Sequence, residues 1–195
     1  MLLNKLQSYK VILASGSPRR KELLKGMGID YTVEINQEVD ESYPPDLPVQ
    51  EVPAFLARLK SHALGRPLAG NELLITADTI VLCNNRLLGK PTNTDDAIRM
   101  LHILSGNSHE VFTGVCVRTS MRERVFTVKS TVHFRLLSSD EITYYIGAYK
   151  PFDKAGAYGV QEWIGYIGID RIEGSYFNVM GLPTQQLYME LAEFI

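Results

Sequence analysis

The sequence predicts an α/β fold in which helices flank a central mixed sheet. These patterns do not decide whether a cleft divides this unit into two lobes. Strand-like apolar runs alternate with helical segments along much of the chain, and two long strand-like segments follow one another in its second half. The 195 residues include 45% hydrophobic and 22% charged residues, which is enough chain for a buried core and an ordinary composition for a globular protein. We therefore expect a single domain over residues 1–195.

The first predicted elements are a strand, a helix and a second strand. Residues 9–14 are predicted as a short buried strand, and a helix should follow it. Ser17 suits the N-cap of that helix and Pro18 its first position, while Gly28 should end it. Residues 31–35 alternate in the manner of a second strand.

The middle of the chain is predicted to carry a loop, a helix and the most apolar strand. Residues 37–48 are polar and proline-rich, and the segment is long enough to be a functional loop. An apolar stripe predicts a helix over residues 52–64. Residues 73–83 form the most apolar segment of the chain, and an Asn-Asn turn signal after them predicts that residues 86–88 pair back.

The second half is predicted to contain two long strands between helices. A helix is expected over residues 95–104, and the strands over residues 110–119 and 125–136. A capping box that begins at Ser138 predicts another short helix. The last predicted elements are a strand over residues 163–172 and an amphipathic helix over residues 183–194.

Charge and cysteine content narrow the classes of function. Twenty basic residues against 22 acidic ones give a formal net charge of −2, which leaves no electrostatic footprint for long nucleic acid. Cys83 and Cys116 lie in strand-like apolar stretches, so we expect two buried thiols in a reducing compartment rather than a redox centre. The N-terminus lacks the features of a signal peptide, and no apolar run approaches the ~20 residues of a membrane span. We therefore expect a cytoplasmic protein with no membrane partner.

An anion-binding loop is predicted between the first strand and the first helix. Free N–H groups at a helix N-terminus favour an anion, and Gly16 lets the backbone approach a ligand closely. Arg19 and Arg20 offer bidentate donors to phosphate oxygens. The alternative is a plain turn followed by two solvated arginines. Neither a P-loop nor a dinucleotide fingerprint is present.

Asp78 is a carboxylate inside the most apolar predicted strand. Strand alternation places it on one face with Thr76 and Ile80, where an unpaired charge would cost several kcal/mol. It should therefore have a cation partner or lie where the strand meets a cleft. A structural ion pair is one interpretation, and a metal ligand or general base for water is the other.

Two lysines and an acidic pair are weaker candidates for the same site. Lys60 borders the apolar stripe of its predicted helix, either snorkelling to solvent or aimed into a cleft. Lys90 lies between a glycine and a proline, which suits either a phosphate contact or a surface turn. Asp40 and Glu41 could complete a carboxylate set for Mg²⁺ or Mn²⁺, or form a solvated acidic loop.

Together these motifs resemble the Maf family of nucleotide pyrophosphatases. The likeness covers nearly the whole chain in the expected order. The matching stretches are LASGSPRR at 13–20, VDE at 39–41, ADTIV at 77–81, GKP at 89–91, SG at 105–106, DKAGAYGVQ at 153–161 and GSYFNVMGLP at 174–183.

The resemblance implies hydrolysis of a nucleoside triphosphate between its α and β phosphates, which yields a nucleoside monophosphate and diphosphate. It implies a central mixed, twisted sheet with two lobes around a deep cleft, similar to inosine triphosphate pyrophosphatases. It also implies a divalent cation, Mg²⁺ or Mn²⁺, and members of the family are often homodimers. The family's site residues fall on catalytic Asp78 (proton acceptor), Glu41, Lys60 and Lys90, on metal-binding Asp78 and Glu41, and on Ser15, Ser17 and Arg20 in the triphosphate-binding loop.

Three positions mark the division of the family by substrate. Arg19, Thr79 and Gln161 are similar to members that act on dTTP and UTP, whereas members acting on 7-methyl-GTP carry bulkier or acidic residues there. A glutamine amide offers a donor and acceptors that fit a pyrimidine edge with O4 and N3–H. House-cleaning of modified nucleotides is implied as well. The alternatives are the same reaction on 7-methyl-GTP or another modified nucleotide, and a non-catalytic nucleotide-binding regulator of septum formation.

Overall fold

The computed structural model describes residues 1–35 and 39–195 and has the predicted α/β class. Its strands are Lys10–Leu13 (β1), Thr32–Val33 (β2), Glu72–Cys83 (β3), Arg86–Leu88 (β4), Ser108–Arg118 (β5), Glu123–Phe134 (β6) and Ile169–Glu173 (β7). Its helices are Leu2–Leu6 (α1), Pro18–Gly26 (α2), Val52–His62 (α3), Thr94–Leu104 (α4), Ser139–Tyr149 (α5), Trp163–Gly168 (α6), Tyr176–Met180 (α7) and Thr184–Phe194 (α8).

The strands form one mixed sheet, as predicted. Their order is β2-β1-β3-β5-β6-β7, and β4 pairs with β3 outside this path. Strand β1 runs parallel to both β2 and β3, with Ile12 opposite Leu74 in the second pair. Strands β4 and β7 run antiparallel to β3 and β6. The antiparallel return of β4 confirms the predicted turn at the Asn-Asn pair.

Three helices, α2, α4 and α5, begin at a residue whose side chain caps the helix. The Ser17 hydroxyl accepts a hydrogen bond from the Arg20 N–H at the start of α2, as its predicted N-cap role requires. Asn93 caps α4 in the same way, through the N–H of Asp96. Ser138 and Glu141 form the predicted reciprocal capping box at α5.

The described residues group into two compact units. The first comprises Met1–Asp78, Thr113–Val128 and Gly181–Ile195, without residues 36–38, and the second comprises Thr79–Phe112 and Lys129–Met180. A single domain over residues 1–195 and a deep cleft both stay predictions.

The core of the first unit lies around the parallel strands. Ile12 and Leu74 are fully buried and pack with Leu68. A Cβ at Gly114 would lie only 2.2 Å from the backbone of Pro53 and Ala54, so β5 and the start of α3 meet main chain to main chain. Only glycine permits this approach, which brings the first turn of α3 against β5.

The second unit contains a buried cluster of aromatic rings. The rings of His109, Phe134 and Tyr158 pack at centroid distances of 5.2 to 5.6 Å. His109 Nε2 lies 2.7 Å from the Tyr158 hydroxyl, and burial lowers the pKa of His109 to about 3. This histidine is therefore a neutral core residue at physiological pH.

The prediction of a strand over residues 163–172 is wrong for residues 163–168. Trp163–Gly168 forms α6, and the strand begins only at Ile169. Ile164 and Gly168 are buried whereas Tyr166 is 84% exposed, which is the spacing of a helix with one covered face. Aromatic and β-branched residues suggested a strand, but packing decided the conformation. The short helices α1 and α7 were not predicted.

Other predictions have simpler outcomes. The two predicted buried thiols, Cys83 and Cys116, are buried and free, and burial raises the pKa of Cys116 to about 11. Residues 37 and 38 of the predicted loop lie outside the described part of the chain. Within the described part, no helix has both the length and the apolarity needed to cross a membrane.

Candidate active site

Asp78 and Lys60 form the centre of the candidate site. Lys60 Nζ lies 2.6 Å from Asp78 Oδ1, and the two side chains are 20% and 12% exposed. The predicted cation partner of the strand carboxylate is therefore a lysine, and Lys60 does not snorkel to open solvent. A close ion pair at the margin of the core is expensive to break, because removing one partner leaves the other charge poorly solvated.

A hydrogen bond between strand and helix positions this ion pair. The Thr76 hydroxyl on β3 donates to the Ala57 carbonyl on α3 at 2.6 Å, and both groups are buried. Thr76 precedes Asp78 by two residues on the same strand face, and Ala57 precedes Lys60 by one helical turn. The contact therefore fixes the register between the two elements that carry the ion pair.

Glu41 adds a second carboxylate to Lys60. Its Oε2 lies 3.1 Å from Lys60 Nζ, although its side chain is 54% exposed. Asp40 instead accepts a hydrogen bond from the N–H of Ser42 at 3.0 Å, which turns the chain locally. Of the acidic pair in this loop, Glu41 is thus the residue whose carboxylate contacts Lys60, the partner of Asp78.

The loop between β1 and α2 brings Arg20 to the same site. Arg20 Nε and Nη1 donate to the carbonyls of Gly181 and Ala77, each at 2.8 Å. Ala77 is the residue before Asp78, so the guanidinium is anchored beside the carboxylate. Burial lowers the pKa of Arg20, while the charge of Asp78 raises it. The alternative of a solvated arginine is thereby excluded for Arg20.

The serines of this loop organise its backbone. Ser17 caps α2, and its N–H donates to the Ser15 hydroxyl at 3.3 Å. Arg19 is partly buried, and its charge lowers the pKa of Arg20. A polar loop thus connects β1 to α2, and two arginines lie in the first turn of that helix, as the anion-binding hypothesis requires. Roles in binding triphosphate stay predictions.

The other predicted residues belong to the second unit. Lys90 is exposed after β4, and the carbonyl of the preceding Gly89 accepts from the N–H of Gly156 at 3.0 Å. Thr79 is half-buried and follows Asp78 directly. The buried Gln161 Oε1 has no hydrogen-bond donor among the described residues. Their roles in catalysis and specificity stay predictions.

The carboxylate oxygens of the first unit are donors that suit a hard divalent cation. Within residues 1–35 and 39–195, no group of three or more His, Cys, Asp or Glu is arranged to hold a metal. The carboxylates of Asp78 and Glu41 nevertheless converge on the Lys60 ammonium. Mg²⁺ is commonly bound by one or two carboxylates together with substrate phosphates and water, so these residues fit it.

Sequence reasoning missed a buried polar cluster in the second unit. Lys154 is only 8% exposed, and its Nζ lies 2.7 Å from Asp153 Oδ1 and 3.0 Å from Glu162 Oε1. The Tyr145 hydroxyl donates to the other oxygen of Glu162. A lysine beside the small, apolar run Ala-Gly-Ala was the available signal, because lysine is rarely buried without partners.

Comparisons with known proteins identify a family and similar proteins. The family model described as Maf-like protein matches residues 10–194. Proteins named dTTP/UTP pyrophosphatase are similar over nearly their full lengths. One from Bacteroides fragilis (strain YCH46) is 54% identical, covering 98% of this chain and 100% of the relative. Those from Parabacteroides distasonis and Flavobacterium johnsoniae are 51% and 47% identical, covering 99% and 100% of this chain and all of each relative.

Among solved structures, a HAM1 protein from Coxiella burnetii matches with a TM-score of 0.48 and 12% identity, over 95% of this chain and 99% of that chain. A likeness at this level is too weak to establish a shared fold.

Proposed function

This chain belongs to the Maf-like protein family, and from that premise we propose that it hydrolyses nucleoside triphosphates, dTTP and UTP foremost. Water cleaves the anhydride between the α and β phosphates, and the products are a nucleoside monophosphate and inorganic diphosphate. The observation that carries the proposal is the convergence of Asp78 and Glu41 on Lys60, beside the anchored guanidinium of Arg20.

Asp78 is the proton acceptor in this proposal. Its carboxylate takes a proton from the attacking water as the water oxygen bonds to phosphorus, and the diphosphate leaves with the electron pair of the anhydride bond. The ion pair with Lys60 and the register set by Thr76 hold the carboxylate in place. A base that needs no reorganisation at the moment of reaction is what electrostatic preorganisation requires.

Positive groups stabilise the charge that develops on the phosphates. Lys60 and Arg20 lie beside Asp78, and the Ser15–Ser17 loop offers donors for phosphate oxygens. Lys90 is proposed to contact a phosphate as well. Fixed cations in a partly dry site are usually worth more than the same charges in water.

Mg²⁺ or Mn²⁺ would be held by the carboxylates of Asp78 and Glu41. When bound, the ion would neutralise phosphate charge and help to orient the triphosphate. Lys60 contacts both carboxylates, so the chain itself balances part of their charge.

Arg19, Thr79 and Gln161 are proposed to set the preference for dTTP and UTP. The Gln161 amide can donate to O4 and accept from N3–H of a uracil or thymine ring. Its buried, unpaired Oε1 among the described residues suits this role, because a buried acceptor without a partner is unfavourable unless a ligand supplies one.

A nucleotide panel with product identification tests the proposal. The purified protein should convert dTTP and UTP to monophosphate and diphosphate with Mg²⁺ or Mn²⁺, and CTP and 7-methyl-GTP far more slowly. Release of nucleoside diphosphate and orthophosphate would contradict the assigned bond. Faster turnover of 7-methyl-GTP would overturn the substrate, and tight nucleotide binding without turnover would favour a regulator.

A cytoplasmic homodimer is the proposed working form. The dimer is supported by the resemblance to a family whose members are often dimers, and the compartment by two free, buried cysteines, which suit a reducing environment. Light scattering at several protein concentrations would measure the mass of the assembly. A constant monomer mass would contradict the dimer.

A further inference from the structure

The segment that carries Gln161 is held by buried polar contacts. The Glu162 N–H donates to the Gly159 carbonyl at 3.0 Å, which closes a tight turn with Val160 and Gln161 at its centre. A Cβ at Gly165 would lie 1.9 Å from the Val160 carbonyl oxygen, so the turn also packs directly against α6. The backbone from which Gln161 projects therefore has little freedom.

One tyrosine hydroxyl ties both ends of this turn to α5. The Tyr145 hydroxyl accepts a hydrogen bond from the Gly159 N–H at 3.0 Å and donates its own proton to Glu162. Tyr145 is fully buried, and its ring stacks on Tyr149 with a centroid distance of 5.2 Å. Burial and the Glu162 carboxylate raise the pKa of Tyr145, so the hydroxyl remains a donor.

Lys154 completes the arrangement from the other side of Glu162. Its Nζ lies 3.0 Å from Glu162 Oε1, so each oxygen of that carboxylate has a buried partner. A Cβ at Gly159 would lie 2.8 Å from Glu162 Cδ and 3.0 Å from Lys154 Cε, so both side chains pack closely against the backbone of the turn. We call Tyr145, Lys154 and Glu162 the clamp.

A fixed amide discriminates between bases that a mobile amide would not. Uracil and thymine present an acceptor at O4 and a donor at N3–H, whereas cytosine presents a donor at N4 and an acceptor at N3. A glutamine that rotates its amide by half a turn exchanges its donor and acceptor and can match either edge. Discrimination therefore requires that the amide be held in one orientation.

We infer that the clamp contributes to base selectivity by fixing the backbone turn from which Gln161 presents its amide to the base. This inference rests on the proposed function, because it assigns Gln161 to the base edge. Tyr145, Lys154 and Glu162 are then positioning residues, and they act on the ratio of substrates rather than on the bond-breaking step.

Tyr145→Phe tests the clamp, with Tyr149→Phe as the matched control. The first variant removes the hydroxyl that joins Gly159 to Glu162, and the second removes a hydroxyl from the stacked neighbouring ring. Tyr145→Phe should lower the dTTP-to-CTP ratio of kcat/KM by about fivefold to tenfold, since a lost buried hydrogen bond has an effect of that order. The change should lie in KM, with kcat for dTTP nearly constant, and Tyr149→Phe should leave the ratio unchanged.

Lys154→Met and a double-mutant cycle separate positioning from general stability. Lys154→Met removes the other partner of Glu162 and should also lower the ratio, whereas a purely structural role would lower only the melting temperature. In a Gln161→Ala background, Tyr145→Phe should have no further effect on the ratio, because the clamp acts through the amide. An unchanged ratio in folded Tyr145→Phe, with Gln161→Ala effective, would overturn the clamp alone. No effect of Gln161→Ala would instead overturn the base assignment on which it rests.

Discussion

Lys60 balances the charge of two carboxylates at a single point. Its ammonium contacts Asp78 and Glu41, and Arg20 is anchored through Ala77 next to Asp78. A sequence can indicate that a carboxylate in an apolar strand needs a cation, and Asp78 has one. It cannot indicate which cation, because Lys60 is 18 residues away in the chain and reaches Asp78 only through the packing of α3 on β3.

Asp78→Asn should abolish most activity without unfolding the protein. The amide keeps the shape of the side chain but cannot accept the proton, so kcat for dTTP should fall about 10²-fold to 10⁴-fold. Steady-state kinetics with the melting temperature as a check on folding measures this. Asp30→Asn, at an exposed aspartate of the same unit, is the control. Full activity in folded Asp78→Asn protein would remove Asp78 from the mechanism.

Lys60→Met should lower both activity and stability. The variant leaves Asp78 and Glu41 without their shared cation, so kcat/KM should fall on the order of 10²-fold and the melting temperature should drop. Adding Asp78→Asn should recover part of the lost melting temperature, because the orphaned charge is gone. Calorimetry of the two single variants and the double variant measures this, and additive losses in the double variant would contradict the coupling.

At the scale of elements, features set by neighbouring residues could be predicted from the sequence, whereas features set by long-range contacts could not. The caps at Ser17 and Ser138 are chemistry within one turn, and both were predicted correctly. Helix α6 was missed because its apolar, aromatic run suits a strand equally well until packing chooses. The contact between Gly114 and the start of α3 joins residues about sixty positions apart, so no local sequence pattern predicts it.

Gly114→Ala should displace α3 and with it Lys60. The new methyl group would lie 2.2 Å from main-chain atoms of Pro53 and Ala54, which cannot move aside as a flexible side chain would. We expect a loss of at least about 2 kcal/mol in the free energy of unfolding, together with reduced turnover of dTTP. Denaturant unfolding and kinetics measure the two effects.

Gly147→Ala is the matched control for this substitution. Gly147 lies in α5, and a Cβ there meets no atom within 4 Å. Alanine in a helix interior should raise the free energy of unfolding by about 0.5–1 kcal/mol. A neutral or stabilising Gly114→Ala would show that the close approach does not constrain α3.

Across the whole molecule, each compact unit contains a carboxylate held by an arginine. In the first unit Arg66 Nη1 lies 2.7 Å from Glu72 Oε2, and Arg66 also contacts Glu34. In the second unit Arg135 Nη2 lies 2.7 Å from Glu141 Oε1. Neither pair was predicted from the sequence as an ion pair, since the arginine partners are not marked by any motif.

These two carboxylates should contribute to the loss of stability in acid. Hydrogen bonds from Arg66 lower the pKa of Glu72 from 4.5 to about 2, and those from Arg135 do the same for Glu141. A carboxylate whose pKa is depressed in the folded state binds its proton first in the unfolded state. Its stabilising contribution is therefore complete above about pH 4.5 and disappears as the pH falls toward 2.

Glu72→Gln and Glu141→Gln should each reduce the decrease in the free energy of unfolding between about pH 4.5 and 2. Each substitution removes at most one proton from the difference in proton uptake between folded and unfolded states, so the slope of stability against pH below 4.5 should decrease. Denaturant unfolding at half-unit pH intervals from about pH 2.5 to 7 measures the slope. Between pH 6 and 8 the curves should run parallel to that of the unsubstituted protein, because both carboxylates are ionised in both states. If the free energy of unfolding of Glu72→Gln depended on pH below 4.5 as steeply as that of the unsubstituted protein, the contacts with Arg66 would not lower the pKa of Glu72.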